Sequence, residues 1–386
     1  MKKKILIFTG SRADYSLLKP LIKIAKKDKK IKLSIAASSL HFSKIFGFTY
    51  KEILKDKNKI NYINSTKVNE TSFEEVINYC GKSMIDFSSI LKKSRPDIVV
   101  LLGDRYEVFS FCIAAFFLNI PIAHIHGGEL TEAAFDDALR HSITKLSNYH
   151  FASHKDYRNR IIQLGESPKN VFNVGAPGIE NIIKQTFISK KKLFQKYKIP
   201  LSFKKALVTF HPETKSSLTV KKQINTLLTA LFSIKNIFYI FSYSNADPFG
   251  KYFIKKIISF DNKFKQSILF KSMGSKLYHS FIKSSDLVIG NSSSGIIEVP
   301  SLKVQTLNIG NRQKGRIYGK SVVHCNNNKD DIIKNINKIL LNKKKIDFTN
   351  PYYKKGTSKK IFLEIKKILN KKNTAKVFYD ISRKKK

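Results

Sequence analysis

Residues 97–107 read Asp97-Ile98-Val99-Val100-Leu101-Leu102-Gly103-Asp104-Arg105-Tyr106-Glu107. A continuous apolar run without polar alternation predicts a strand buried on both faces, as in a parallel sheet covered by helices on each side. Gly103 turns the chain, and a helical pattern follows over 105–118. Working outward, further strands are expected at 4–8, 31–37, 60–64, 121–125, 149–152 and 170–174, with helices at 15–27, 72–92, 136–147 and 154–164. The alternation then restarts: strands near 205–210, 237–241, 267–270, 286–290 and 304–308, helices near 217–233, 249–258, 275–283 and 294–301. Two such series predict an α/β protein of two doubly wound domains, with ligands at the carboxyl ends of the strands, in the cleft between them. The divide is expected within 178–203, which separates a first domain (1–180) from a second (190–356). Residues 357–386 offer an amphipathic helix and a basic tail, the helix packing back on the first domain and the tail mobile.

Composition agrees. The chain has 386 residues, too many for one ordinary core, with 42% hydrophobic and 26% charged residues. The longest apolar stretch, Phe111 to Ile125, is broken by Asn119 and Pro121, so no membrane span is expected. Four apolar residues after Met1-Lys2-Lys3-Lys4 are too few for a signal-peptide core. Three scattered cysteines (Cys80, Cys112, Cys325) suggest neither disulfides nor a zinc site. A cytoplasmic protein is expected.

The formal charge of +44 raises the question of nucleic acid. Only nine of the 72 basic residues are arginines, and the lysines are spread along nearly the whole chain, as on a generally basic solvated surface. Basic patches interleaved with aromatics are absent, so no nucleic-acid partner is expected. The exception is the stretch between Lys93 and Lys145, which has no lysine but holds Asp97, Asp104, Glu107, Glu129, Glu132, Asp136 and Asp137. Burial excludes lysine, but it also excludes unpaired carboxylates, so acids beside a core favour a site.

The strand ends carry the candidate chemistry. The first closes in Thr9-Gly10-Ser11-Arg12-Ala13-Asp14-Tyr15, a turn entering a helix where a phosphate can sit. It matches neither Walker A nor the dinucleotide fingerprint, so ATP and NAD lose their sequence support. Arg12 offers a planar fork for a diphosphate, against a bland role capping the strand end. Asp104 follows the fourth strand, either as a cleft carboxylate or as a helix cap. The fifth ends His124-Ile125-His126-Gly127-Gly128-Glu129, placing Glu129 beside Asp104. His124, His126 and Glu129 are a competing metal set, since 124 and 126 share a face of an extended strand, but no third-ligand arrangement is evident. Asp136 and Asp137 open a helix, where acids suit the dipole. In the second domain, Phe210-His211-Pro212-Glu213 brings His211, an acid/base type, to the cleft from the other side. Gly290-Asn291-Ser292-Ser293-Ser294-Gly295-Ile296-Ile297-Glu298 joins a strand to a helix, with Ser292, Ser293 and Ser294 suited to a phosphate and Glu298 to ribose hydroxyls.

Together the stretches 9–15, 103–107, 124–129, 290–298 and 308–316 resemble the hydrolysing UDP-N-acetylglucosamine 2-epimerases of the sialic and legionaminic acid pathways, in the same order from about residue 4 to 345. The resemblance implies a GT-B glycosyltransferase-like fold of two Rossmann-like domains facing a central cleft, with no cofactor or metal. It implies Asp104, Glu129 and Asp136 as the acidic catalytic set, with Asp137 an alternative to Asp136, and His211 as an aid to nucleotide departure. Arg12, Ser292, Ser293, Ser294, Glu298 and Arg312 match nucleotide-binding positions. Implied too are a nucleotide-sugar substrate (UDP-linked, GDP-linked or a 2,4-diacetamido analogue) and a homodimer. A GT-B glycosyltransferase with a separate acceptor shares the fold and nucleotide contacts and stays open as the alternative.

Overall fold

The computed structural model describes residues 2–66, 72–244, 247–371 and 375–381. Seven parallel strands form the first sheet: β1 (Lys3–Thr9), β2 (Ile31–Ala37), β3 (Tyr62–Ile63), β4 (Ile98–Leu102), β5 (Ile122–Ile125), β6 (Tyr149–Ala152) and β7 (Val171–Asn173), in the order β3-β2-β1-β4-β5-β6-β7. Six more form the second: β8 (Lys204–Thr209), β9 (Ile237–Ser242), β10 (Ser267–Phe270), β11 (Leu287–Gly290), β12 (Thr306–Ile309) and β13 (Val322–Cys325), in the order β10-β9-β8-β11-β12-β13. Each sheet reverses its winding once, between β1 and β4 and between β8 and β11. At such switch points the connecting loops part and open a crevice. Residues 9–15, 103–107, 210–213 and 290–298 all flank these two points.

The helices cover both faces of each sheet because the strands are apolar on both faces. All five residues of β4 are buried, with Ile98, Val100 and Leu102 packing one core and Val99 and Leu101 the other. Helix Thr357–Leu369 lays Ile361, Phe362, Ile365, Ile368 and Leu369 into the first domain's core beside Leu18, Leu21 and Ile22 of helix Arg12–Lys27.

Residues 375–381 of the tail lie against the first domain. Lys376 Nζ reaches Glu166 at 2.8 Å and donates to the carbonyl of Ser147, while Phe378 packs over Gly165. Residues 382–386 lie outside the described residues. β13 was not anticipated: it is a four-residue edge strand with a half-exposed middle, too short and too polar around it to show periodicity. Helix Arg12–Lys27 begins three residues earlier than its apolar pattern, so Arg12 is its first residue.

Candidate functional site

Arg12 leaves the first domain at the end of β1 and donates to the main-chain carbonyls of Tyr243 (3.0 Å) and Lys271 (2.7 Å) in the second. The turn before it differs from the expected phosphate cradle. Gly10 N and Ser11 N both donate to Asp14 Oδ2 at 2.9 Å, so an internal carboxylate already occupies these donors. Burial pushes the Asp14 carboxyl up to about 6, against the pull of Arg105 and these two N–H groups.

Asp104, just past β4, forms an ion pair with Arg140 from helix Asp136–Leu146. Arg140 is buried and also donates to Glu129 O (2.8 Å) and Thr131 Oγ1 (3.0 Å). Burial raises the Asp104 carboxyl, but Arg140 and Arg316 outweigh it and hold the group below its ordinary value. Glu129 is sealed more tightly. Its Oε2 meets Arg316 Nη2 at 2.8 Å, and its Oε1 lies 2.5 Å from His126 Nδ1 and accepts from Ser153 Oγ at 2.7 Å. Burial disfavours its charge, yet Arg316 and His126 hold the carboxyl well below the carboxylate range. The Gly127-Gly128 turn permits this packing: a Cβ on Gly128 (φ +76°) would stand 2.4 Å from Tyr157 O.

The metal alternative meets a different geometry. His124 turns to Gly103 O (2.7 Å) and Thr144 Oγ1 (3.3 Å), while His126 leaves the strand direction at φ +68° and turns to Glu129. The two histidines therefore do not converge, and no group of three metal-ligating side chains occurs among the described residues.

The two adjacent aspartates divide their work. Asp137 Oδ1 accepts from Thr131 N (2.6 Å) and Arg140 Nη1 (3.3 Å), holding the helix start. Asp136 faces the cleft, 3.7 Å from Arg312 Nη2. Burial and then the neighbouring charges of Asp104 and Asp247 push its carboxyl up to about 7.

On the second domain, Asn291 ties the ends of β8 and β11: its Oδ1 accepts from His211 N (2.7 Å) and its Nδ2 donates to His211 O (2.9 Å). Gly290 makes this possible, because a Cβ there would fall 1.9 Å from Thr209 O. Burial, then Arg312, pushes His211 down to about 3, so its ring is neutral. A pocket opens beside it between the two domains, with a cavity volume of about 130 Å³, lined by Arg12, Thr209, His211, Tyr278, His279, Ser292, Ser293, Ser294 and Glu298. Ser292 Oγ accepts from Ser294 N, and Glu298 Oε1 lies 3.3 Å from His279 Nε2. Arg312 is carried on a loop whose backbone N–H groups at Asn311 and Arg312 donate to Glu213 (2.7 and 3.1 Å).

The structure thus gathers Asp104, Glu129 and Asp136 at the edge of the first domain and Arg12, His211, Ser292–294, Glu298 and Arg312 around the second, with Arg312 joining the two sets. Sequence reasoning missed Arg105, Arg316 and Asp247, whereas Arg140 could be expected to pair one of the two aspartates and does pair Asp137. Arg105 binds Glu107 (2.8 Å) and Asp247 (2.7 Å), and Arg316 brings a second-domain charge onto Glu129. A signal for the arginines was present. In a chain that uses lysine for ordinary positive charge, the few arginines concentrate where a planar, forked donor is needed.

Two Rossmann-like domains share a pocket lined from both, with a carboxylate cluster of the first domain nearby, an arrangement suited to an enzyme that acts on a nucleotide sugar. Residues 23–366 match the profile of the family described as UDP-N-acetylglucosamine 2-epimerase. The chain is 40% identical over 385 residues to polysialic acid biosynthesis protein P7 of Escherichia coli, covering 98% of each. It is 38% identical over 326 residues to a GDP/UDP-N,N'-diacetylbacillosamine 2-epimerase (hydrolyzing) of Campylobacter jejuni, covering 83% of this chain and 84% of that one. Its fold matches that of UDP-GlcNAc 2-epimerase from Neisseria meningitidis bound to UDP-GlcNAc, with a TM-score of 0.78 at 20% identity over 94% of this chain and 100% of that one. The chain belongs to the UDP-N-acetylglucosamine 2-epimerase family and is of its hydrolysing type. Among the described residues, no helix is long and apolar enough to cross a membrane.

Proposed function

We propose that the protein converts a nucleotide-linked N-acetylglucosamine, or its 2,4-diacetamido analogue, to the free manno-configured sugar and a nucleoside diphosphate. The observation that carries this reading is the meeting of two unlike surfaces at one cleft. The pocket beside His211 suits a nucleotide, and the carboxylates Asp104 and Asp136 suit a sugar cation.

The hydrogen on sugar carbon 2 is not adjacent to a carbonyl and is barely acidic. Cleavage of the bond from carbon 1 to the diphosphate oxygen sends its electron pair to the leaving group and makes carbon 1 oxocarbenium-like, which acidifies that hydrogen. A carboxylate takes the proton, and its C–H electrons close the carbon 1–carbon 2 double bond of a 2-acetamidoglycal. Water then adds its oxygen to carbon 1, and a proton returns to the opposite face of carbon 2. Fixed negative charge beside the cation and positive donors beside the diphosphate lower both barriers.

Asp104 and Glu129, both held ionised, supply the fixed charge, Asp104 directly and Glu129 from behind through Arg316 and His126. Asp136, with its raised carboxyl, takes the carbon 2 proton, and the proton that returns on the opposite face comes from solvent water. Arg312 and Arg12 face the diphosphate, Arg12 while tethering the second domain, and neutral His211 supports the departing oxygen. Ser292, Ser293 and Ser294 hold phosphate, and Glu298 the ribose. We propose a homodimer as the working assembly.

The deciding experiment is NMR of UDP-N-acetylglucosamine with enzyme in deuterated water, followed by the GDP-linked and diacetamido analogues. Nucleotide release, a free manno-configured sugar and deuterium at carbon 2 are expected. Turnover only when a separate acceptor is supplied would replace this reading by glycosyl transfer.

The raised carboxyl of Asp136 gives a second expectation. If it accepts the carbon 2 proton, kcat/KM rises with pH through about 7 and falls away on the acid side. A pH–rate profile with its acid limb near 4 instead would assign the base to another carboxylate.

A further inference from the structure

One cleft carboxylate has no part in the reaction as derived. Asp247 follows β9, before helix Gly250–Lys263, and is buried. Its Oδ1 accepts from Arg105 Nη1 at 2.7 Å, joining the domains. Among the described residues its Oδ2 accepts no hydrogen bond, though it lies 3.7 Å from both His211 Nδ1 and Arg312 Nη2. Arg312 Nη2 is also 3.7 Å from Asp136 Oδ2, while Nη1 donates to Asn291 O at 3.3 Å. The guanidinium therefore stands between two carboxylates at a separation where attraction persists but neither forms a short hydrogen bond. Groups assigned to an external anion are kept company here by an internal one, at 3.7 Å from each.

We propose that Asp247 is a positioning residue that serves as the internal counter-anion of the nucleotide site. It holds Arg312 and His211 in register while the site is empty and electrostatically opposes the nucleoside diphosphate after cleavage. This rests on the nucleotide-sugar reading above. The chemistry makes the opposition selective. In the substrate both phosphates are esterified and each bears one charge, whereas the released terminal phosphate gains a second ionisation near neutrality, about one charge more. A fixed carboxylate nearby therefore disfavours product more than substrate and speeds its departure.

The test is calorimetric binding of UDP, or of GDP if the wild type binds that instead, to wild type, Asp247→Asn and Asp247→Glu, together with product inhibition during turnover. Asn keeps an acceptor for Arg105 but removes the charge. The Asn variant is expected to bind the diphosphate about tenfold more tightly, with inhibition by product strengthened relative to KM, while the Glu variant behaves as wild type. Diphosphate affinity unchanged or weakened in a folded Asn variant overturns the proposal while leaving the enzyme assignment intact. A wild type that binds neither diphosphate overturns both. If the Asn variant does not fold, Asp247→Ser is read by the same criterion. Failure of both to fold would make Asp247 a structural partner of Arg105 and overturn the proposal.

Discussion

Asp104→Asn is expected to lower kcat by about three orders of magnitude or more while leaving nucleoside diphosphate affinity within about threefold. The substitution keeps the shape and removes one negative charge, the one closest in sequence to the end of β4. It does not collapse the site, because Arg140 remains held by Glu129 O and Thr131 Oγ1. The nucleotide pocket, lined from both domains, does not include Asp104. A ground-state contact would raise KM, whereas a charge felt only by the cationic centre lowers kcat. Steady-state nucleotide release and calorimetry separate these, and a variant with undiminished kcat would remove Asp104 from the mechanism.

The sequence reveals what a short segment decides by itself. Five apolar residues from Ile98 to Leu102 can satisfy their backbone only in a ladder and their side chains only between two layers of helix, so β4 and its kind were readable. The turns at strand ends were readable for the same local reason, and they carry Asp104, Glu129, His211 and Ser292–294. Contacts across the cleft are different. Arg316 is 187 residues from Glu129 in the chain, and nothing in the spacing of either announces the other. Asp247 sits in a polar stretch after β9 that reads as an ordinary loop, and its meaning comes from residues distant in the chain, Arg105, His211 and Arg312. The phosphate cradle at residues 9–12 failed in the opposite direction: the motif formed, but Asp14 satisfied its donors from within. Local patterns show which groups are near a strand end, whereas a neighbouring carboxylate decides which of them are available.

Glu129→Gln tests how far the buried charges support both fold and reaction. The carboxylate is the ion-pair partner of Arg316, whose side chain is 8% exposed, and its loss leaves that buried guanidinium without its close anion. Breaking such a pair from one side costs about 3–5 kcal/mol, which urea denaturation would register as a lowered midpoint. The linkage has a definite sign. The folded-state carboxyl is held below its ordinary value, so its stabilisation is present at neutral pH and fades as the pH falls below the usual carboxylate range. The variant should therefore lose most of its deficit relative to wild type in acid. Adding Arg316→Met removes the orphaned cation and should restore much of the stability at pH 7. Turnover discriminates the roles: if the negative charge of Glu129 supports the sugar cation, the double variant is stable and still slow. Recovery of both stability and turnover would reduce Glu129 to a brace between the domains and leave the chemistry to Asp104 and Asp136.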